Sequence, residues 1–243
     1  MPLAITATFC TALVPAISSA IAVKDFDTVN KRLSFSFFAS ILIIMPCAAG
    51  LMALAGSILQ MIYPAAPDGA NILIGSTITM IFVSLNYVVN GGLYGYGKIY
   101  VPAIALAIGG AIKVVLNVIL ISNPKINIFG SVISSIICQG IAFFICLHAL
   151  NKQIKLNMNL KTHVLKPIFA SAIMGLIVYG LHRVVVDLIG NAIATICSII
   201  IGILIYVLLV LFMKILTKED IYMIPFGTKI YSGLLRLKIY KEN

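Results

Sequence analysis

Tryptophan is absent from this 243-residue sequence, and charged residues make up only 10% of it. An ordinary soluble domain has about 25% charged residues, and even a domain of about 300 residues buries only about three quarters of its unfolded surface. A chain that is 61% hydrophobic therefore cannot be a soluble globular protein. Its mean hydropathy of +1.12 also excludes a solvated, disordered chain.

Acidic residues are the scarcest charged type, since Asp and Glu number seven against 17 Lys and Arg. All seven fall in predicted loops, short connections or the tail, so no intramembrane carboxylate is offered to a proton or a sodium ion. The five cysteines lie in apolar stretches without CxxC spacing, which predicts small hydrophobic side chains instead of metal ligands or disulfides. No nucleophile and base pairing stands out, so we expect neither an enzyme nor a bound cofactor or metal.

The sequence contains one glycine-rich motif with the spacing of a nucleotide-binding loop. Residues 92–98, GLYGYGK, fit the GxxxxGK spacing of a phosphate-binding loop, but Ile99 stands where Ser or Thr must hold magnesium. The motif also follows an apolar span and not a soluble strand. We interpret its glycines and the one before them as the means of a tight turn between the third and fourth helices. They are Gly91, Gly92, Gly95 and Gly97.

Long apolar runs dominate the rest of the chain. A bilayer core of about 30 Å needs about 20 helical residues, and seven runs suit that length. They cover residues 2–23, 33–54, 70–92, 102–121, 128–150, 167–181 and 192–213. The sequence therefore predicts an all-α, polytopic membrane bundle of about seven transmembrane helices over residues 1–213. Pro15 and Pro46 should kink or break their helices.

The formal net charge of +10 predicts the orientation of the bundle. Fourteen of the 17 Lys and Arg fall on one side of the predicted spans, and two, Lys125 and Arg183, fall on the other. The positive-inside rule places the basic side in the cytoplasm, so we expect an outward N-terminus, a cytoplasmic C-terminus and no nucleic-acid partner. Residues 214–243 form a basic tail with apolar residues at helical spacing, which indicates an amphipathic helix on the cytoplasmic leaflet or a disordered tail.

Lys113 is the sharpest candidate for a functional site. It lies eleven residues after Pro102 and eight before Ile121, near the middle of the fourth span, with Asn117 one turn away on the same face. A lysine facing lipid at this depth costs about 2.5 to 3.5 kcal/mol on an insertion scale, so its ammonium should face a cavity or a partner. Two interpretations remain: a basic site for an anionic headgroup, or a structural lysine that snorkels or pairs with backbone.

Polar residues at spacings of three and four mark three other spans. The rows are Thr79, Asn86 and Asn90 on the third span, Ser131, Ser135 and Gln139 on the fifth, and Thr11, Pro15, Ser18 and Ser19 on the first. Interhelical packing is the simpler explanation of any one row, whereas several rows together with a buried lysine favour a shared polar cavity. The predicted substrate-binding residues of this cavity are Lys113, Asn117, Asn86, Asn90 and Gln139.

Several long segments resemble one family. The opening MPLAITATFCTALVPAISSAIAVKDFDTVNKR and the later IMPCAAGLMALAGSILQMIYP are similar to second-lobe helices of the multidrug/oligosaccharidyl-lipid/polysaccharide flippase superfamily. The similarity is to the polysaccharide biosynthesis and stage V sporulation protein B group, relatives of the lipid II flippase. It extends to VPAIALAIGGAIKVVLNVILISNPKINIFGSVISS and TKEDIYMIPFGTKIY, and so covers essentially the whole chain.

This resemblance implies a fold and a function. Members of the superfamily have about fourteen helices in two lobes and carry substrate in a central cavity by alternating access. Seven spans would match helices eight to fourteen, the second lobe plus the last two helices, with the N-terminal lobe missing. The implied protein is the C-terminal portion of a flippase for undecaprenyl-pyrophosphate-linked oligosaccharide in the bacterial cytoplasmic membrane, serving cell wall, polysaccharide or spore envelope assembly.

The resemblance also implies partners and one site residue. The expected partners are the lipid-linked oligosaccharide, membrane lipid and the missing N-terminal lobe. In the superfamily, basic cavity residues are thought to engage the substrate's pyrophosphate, and Lys113 is the position that matches by its place in the chain. Two alternatives stay open, namely a multidrug antiporter of the same superfamily and a non-transporting structural subunit of the membrane.

Overall fold

The computed structural model describes residues 2–64, 69–124, 126–156 and 159–216, and within these ranges the chain is helical and has no strand. The α-helices are α1 (Pro2–Ala22), α2 (Phe26–Ala53), α3 (Ala55–Ile62), α4 (Ala70–Gly95), α5 (Tyr100–Ile121), α6 (Phe129–Gln153), α7 (Lys166–Ile189) and α8 (Asn191–Phe212), with a π-helical turn at Lys161–Leu165. Every helix except the short α3 is long and apolar enough to cross a membrane. The predicted all-α bundle with seven spans is confirmed, while the tail from Thr217 onward lies outside the described residues.

Helix α2 begins seven residues before the predicted span because a polar cap starts it. The side chain of Asp25 accepts hydrogen bonds from the backbone N–H of Thr28 at 3.0 Å and from its hydroxyl at 2.6 Å. Both bonds lower the pKa of the Asp25 carboxyl, and the bond from the hydroxyl has the larger effect. Because this capped first turn carries charged residues, it does not raise the local hydropathy. The apolar run therefore predicts a start of α2 that is too late.

Helix α7 differs most from its prediction, because it runs to Ile189 and not to residue 181. The predicted span stops just before His182, but His182 lies within the helix: its imidazole is buried, and its Nε2 lies 3.2 Å from the Thr195 hydroxyl of α8. The same helix takes in Asp187, which was expected in a connection and lies instead, exposed, in the last turn. The bond to Thr195 lets a polar residue stay buried inside α7, so His182 does not mark the end of the span.

The two internal prolines do not break their helices. Pro15 lies inside α1 and Pro46 inside α2, and both helices are continuous. The loss of one backbone hydrogen bond at each proline is thus tolerated, as it is in other membrane helices.

The second apolar run stops at Leu54, whose N–H bonds to the carbonyl of Gly50, and the chain restarts at once as α3.

Helix α4 is the centre of the bundle, since it packs against α1, α2 and α6. Helix α2 packs on two sides: Leu33 and Ile41 belong to a core shared with α1, α4 and α6, and Phe38 belongs to a second core shared with α7 and α8. Helix α5 lies at the edge and packs mainly on α6. Large apolar side chains along α5 and α8 stay exposed, as expected of surfaces that face lipid.

The glycines around residues 91–97 act differently from their prediction. Only Gly97 lies in the turn with a left-handed backbone, at φ +70°. A Cβ on Gly95 would come within 2.6 Å of Ile17, and one on Gly91 within 3.2 Å of the Cα of Cys10. These two glycines therefore let α4 approach α1 closely and do not form the turn.

A neighbouring pair of glycines on α5 gives a matched test of close helix packing. A Cβ on Gly109 would lie 2.7 Å from the carbonyl oxygen of Cys138 on α6, whereas one on Gly110 would meet nothing within 4 Å. We expect Gly109→Ala to lower the free energy of unfolding by about 1 to 3 kcal/mol through overpacking. Gly110→Ala should be neutral or raise it by up to about 1 kcal/mol through helix propensity.

Unfolding both variants by denaturant in the same micelles measures the difference. Equal effects of the two substitutions would contradict the close α5–α6 contact.

Candidate functional site

The polar rows on α4 and α6 face a common region. The two helices pack against each other, and Val83 of α4 borders two separate cavities along their contact. One, here called the amide cavity, lies between α4, α5 and α6 and is lined by Asn86, Asn90 and Gln139 among others. The second, here called the hydroxyl cavity, lies between α1, α4 and α6 and is lined by Ser76, Thr79, Ser131 and Ser135 among others. Three of the five predicted site residues thus lie together.

The amide cavity has a volume of about 280 Å³. The side-chain nitrogen of Asn86 donates across the helix contact to the backbone carbonyl of Gln139 at 3.2 Å and to its side-chain oxygen at 3.3 Å. The backbone carbonyl can only accept, so the amide group of Asn86 that faces it must be the NH₂. The orientation of this side chain is therefore fixed by its partner.

Two acceptors of the amide cavity remain without a donor. The Oδ1 atoms of Asn86 and Asn90 are buried and have no hydrogen-bond partner in the described part of the chain. A buried polar atom left unpaired costs about 1 to 3 kcal/mol. Each oxygen exposes less than 1 Å² of surface, so neither faces the cavity that its residue lines.

The hydroxyl cavity is larger, at about 450 Å³, and its hydroxyls are mostly satisfied by their own helices. Ser76 donates to the carbonyl of Ile72 at 2.8 Å, and Ser135 donates to that of Ser131 at 2.7 Å. Thr79 differs, because its buried hydroxyl has no partner among the described residues. Among the described residues, this cavity therefore has fewer buried polar atoms without a partner than the amide cavity.

Lys113 and Asn117 lie elsewhere, along the contact between α5 and α6. Asn117 accepts a hydrogen bond from the hydroxyl of Ser134, which joins the two helices. Lys113 lies one turn before Asn117 and one turn after Gly109. This lysine is half-buried and lines neither cavity. Within the described residues its ammonium has no ion pair or hydrogen bond, so its role as a substrate residue stays a prediction.

The polar row on α1 also lies apart from the amide cavity. Thr11 and Ser19 donate to carbonyls within α1, at 2.9 and 3.1 Å. Ser18 donates to the carbonyl of Gly95 on α4 at 3.2 Å. All three are exposed, and none of them lines either cavity.

The sequence prediction missed several residues of the amide cavity. Tyr87 and Tyr94 line it from α4, and Cys146 lines it from α6. The two tyrosines are seven residues apart and lie within one turn of Asn90, so the periodicity that found the asparagines could also have found them. Cys146 follows Gln139 by seven residues and carries the same signal.

Seven long apolar helices with polar cavities between them define a multi-pass α-helical membrane protein. Within that class, a family model described as lipid II flippase MurJ matches residues 1–197. The chain belongs to this family, which confirms the resemblance to the flippase superfamily.

Two relatives add detail. The uncharacterized membrane protein YabM of Bacillus subtilis strain 168 is 25% identical over 233 residues, which are 93% of this chain and 43% of that protein. A solved structure of the lipid II flippase MurJ in an inward closed conformation is 20% identical, with a TM-score of 0.64, and the match covers 86% of this chain and 43% of that one. The fold is shared, and the chain spans less than half the length of these relatives.

The Asn117–Ser134 bond generates a prediction that separates packing from binding. Double-mutant cycles of interhelical hydrogen bonds in membranes average about 0.6 kcal/mol, with a maximum near 1.7. We expect Asn117→Ala and Ser134→Ala to show a coupling energy in that range when unfolding is measured in micelles. Strictly additive effects would show that the bond does not hold α5 to α6.

Proposed function

We propose that this chain is part of a flippase that moves undecaprenyl-pyrophosphate-linked oligosaccharide across the bacterial cytoplasmic membrane by alternating access. The observation that carries the proposal is membership of the MurJ family over residues 1–197. The polar cavities between α4, α5 and α6 and between α1, α4 and α6 support it, because a hydrophilic headgroup needs hydrogen-bonding surface inside the bilayer. We propose transport without covalent chemistry, in the assembly of cell wall, polysaccharide or spore envelope.

We further propose that the chain acts together with an N-terminal lobe, because it matches less than half of the length of its relatives. The chain covers 43% of each of the two relatives. The exposed face of α1 supports this, since it carries Thr8, Thr11 and Ser19, whereas the exposed face of α8 carries residues such as Ile196 and Ile203. Small side chains of this kind let membrane helices approach closely, and large aliphatic ones suit lipid.

The charge bias predicts the orientation of this assembly. Lys155 follows α6, and Lys125 precedes it and lies outside the described residues. If the basic side is cytoplasmic, a cysteine at position 125 should react with a membrane-impermeant thiol reagent in intact cells, and one at position 155 should react only after lysis. The native cysteines are replaced first. Reversed labelling at both positions would contradict the orientation.

Lys113 provides the test of the transport proposal. Its half-buried position in mid-span, without an ion pair in the described chain, leaves its charge free for an anionic group such as a pyrophosphate. The assay uses cells depleted of their own lipid II flippase, in which the chain is expressed with a first lobe from a MurJ relative. Growth and translocated lipid-linked precursor are measured together with protein abundance.

We expect Lys113→Gln to reduce translocation by about 10- to 100-fold, the equivalent of one charge-assisted hydrogen bond, at unchanged abundance. Lys113→Arg should retain part of the activity, because the charge survives while its shape changes. Normal translocation by the Gln variant would remove Lys113 from the site. A parallel loss of abundance and translocation would mark it as a structural residue.

A further inference from the structure

Pro46 leaves one backbone carbonyl of α2 without its usual donor. In an α-helix the N–H of each residue bonds to the carbonyl four residues earlier, and proline has no N–H. For Pro46 the affected carbonyl is that of Leu42. Both residues lie inside a membrane-spanning segment, where no water replaces the lost bond. The Leu42 carbonyl therefore needs a donor from another helix.

Tyr206 of α8 is that donor. Its phenol hydroxyl donates to the carbonyl oxygen of Leu42 at 2.8 Å. The Tyr206 side chain is buried in the second core, which α2 shares with α7 and α8. A phenol hydroxyl carries a single proton, so this bond commits the polar end of Tyr206 to the backbone of α2.

A second hydroxyl beside Tyr206 is already engaged. Ser171 of α7 is buried and interacts with the phenol, but it donates its own proton to the carbonyl of Pro167 at 2.7 Å. It therefore does not act as a donor to α2. Loss of the phenol hydroxyl would leave the Leu42 carbonyl unpaired in an apolar core, which is more costly than the loss of a hydrogen bond whose acceptor stays satisfied.

This hydrogen bond joins α2 to a hairpin that makes few contacts with the rest of the bundle. Helices α7 and α8, here called the α7–α8 hairpin, pack on each other and meet the other α-helices mainly through α2 and α3. At the start of α8, the side chain of Asn191 donates to the carbonyl of Ser57 on α3 at 3.0 Å. The bond from Tyr206 is the corresponding polar link between α8 and the interior of α2.

Pro46 also lies where α2 passes from one core to the other. The α2 residues of the first core, which include Leu33 and Ile41, all precede Pro46. After Pro46, Ala49 and Leu54 belong to the second core. A bend at Pro46 would therefore move the end of α2 that meets α7 relative to the part that packs against α1, α4 and α6.

We propose that Pro46 is a hinge of α2 and that Tyr206 is its latch. With the hydrogen bond made, α2 is continuous and the α7–α8 hairpin is docked on it. When the bond breaks, the Leu42 carbonyl loses its donor, and α2 bends at Pro46, where the helix has no backbone hydrogen bond to hold it. The docking of the hairpin and the shape of α2 are thereby coupled. Tyr206 is a positioning residue in this device, because it acts through the backbone of α2.

The first test compares Tyr206→Phe in two backgrounds, with thermal unfolding in detergent micelles followed by circular dichroism. In the wild-type chain this substitution should lower the unfolding midpoint by about 2 to 4 °C, the shift expected for one lost hydrogen bond in a chain of this length. In the Pro46→Ala background the new N–H of residue 46 bonds to the Leu42 carbonyl. The same substitution should then lower the midpoint by clearly less, because the carbonyl keeps a donor.

Pro15→Ala is the matched control background. Pro15 also removes a backbone hydrogen bond inside a membrane helix, but it lies in α1, which packs on α2 and α4. Tyr206→Phe should keep its full effect on the midpoint in this background. An equally weakened effect in the Pro15→Ala and Pro46→Ala backgrounds would show that the coupling does not pass through the Leu42 carbonyl.

Hydrogen exchange of backbone amides separates a latch from a general packing role. In Tyr206→Phe we expect faster exchange over residues 43–50 of α2, because local opening now starts at Pro46. Residues 29–41, which carry the contacts of α2 with the first core, should exchange as in the wild-type chain. Adding Pro46→Ala should restore slow exchange to residues 43–50, whereas a side chain that only filled space would leave them fast.

Three further results would overturn the inference. They are an unchanged unfolding midpoint in Tyr206→Phe, an equal loss of midpoint in the wild-type and Pro46→Ala backgrounds, and faster exchange spread evenly over α2. Neither measurement reads translocation, so a failure here leaves the transport proposal standing, and the reverse also holds.

Discussion

The close approach of α4 to its neighbours is the contact on which the rest of the bundle depends. Between membrane helices there is no hydrophobic drive, since lipid tails are as apolar as leucine, and close packing of small residues takes its place. Gly91 and Gly95 provide it against α1, and a Cβ on Gly92 would lie 2.8 Å from Leu33 of α2 and 3.2 Å from Leu150 of α6. With α4 held on three sides, its polar row is fixed toward α6.

That fixed row carries two buried acceptors, the Oδ1 atoms of Asn86 and Asn90, that no donor among the described residues satisfies. One end of the Asn86 side chain is anchored to Gln139, and the other end is left without a donor. A structure that only needed to be stable would place leucine there. The cost is about 1 to 3 kcal/mol for each acceptor that is left unpaired. The Asn117–Ser134 pair shows the opposite case, in which the amide oxygen accepts a hydrogen bond that joins two helices.

Hydropathy and periodicity predicted the seven spans and the grouping of Asn86, Asn90 and Gln139, because both depend on spacing within one helix. Helix ends were less accurate: the Asp25 cap extends α2, and the Thr195 partner of His182 carries α7 eight residues further. Periodicity gives a residue's face but not the neighbour that this face meets. For this reason Lys113 was expected in the shared cavity, while the packing of α5 on α6 places it along their contact.

The measurement that tests this account most directly is water accessibility along α4. In a chain whose native cysteines are replaced, single cysteines at positions 79, 83, 86 and 90 would sample the row that borders the two cavities, and cysteines at 74 and 78 would replace exposed isoleucines on another face. A charged, water-soluble thiol reagent should modify the first set and spare the second, because the thiol reacts as a thiolate and needs water. Uniform reactivity along α4, or modification at 74 and 78 alone, would show that the polar row does not line a hydrated interior.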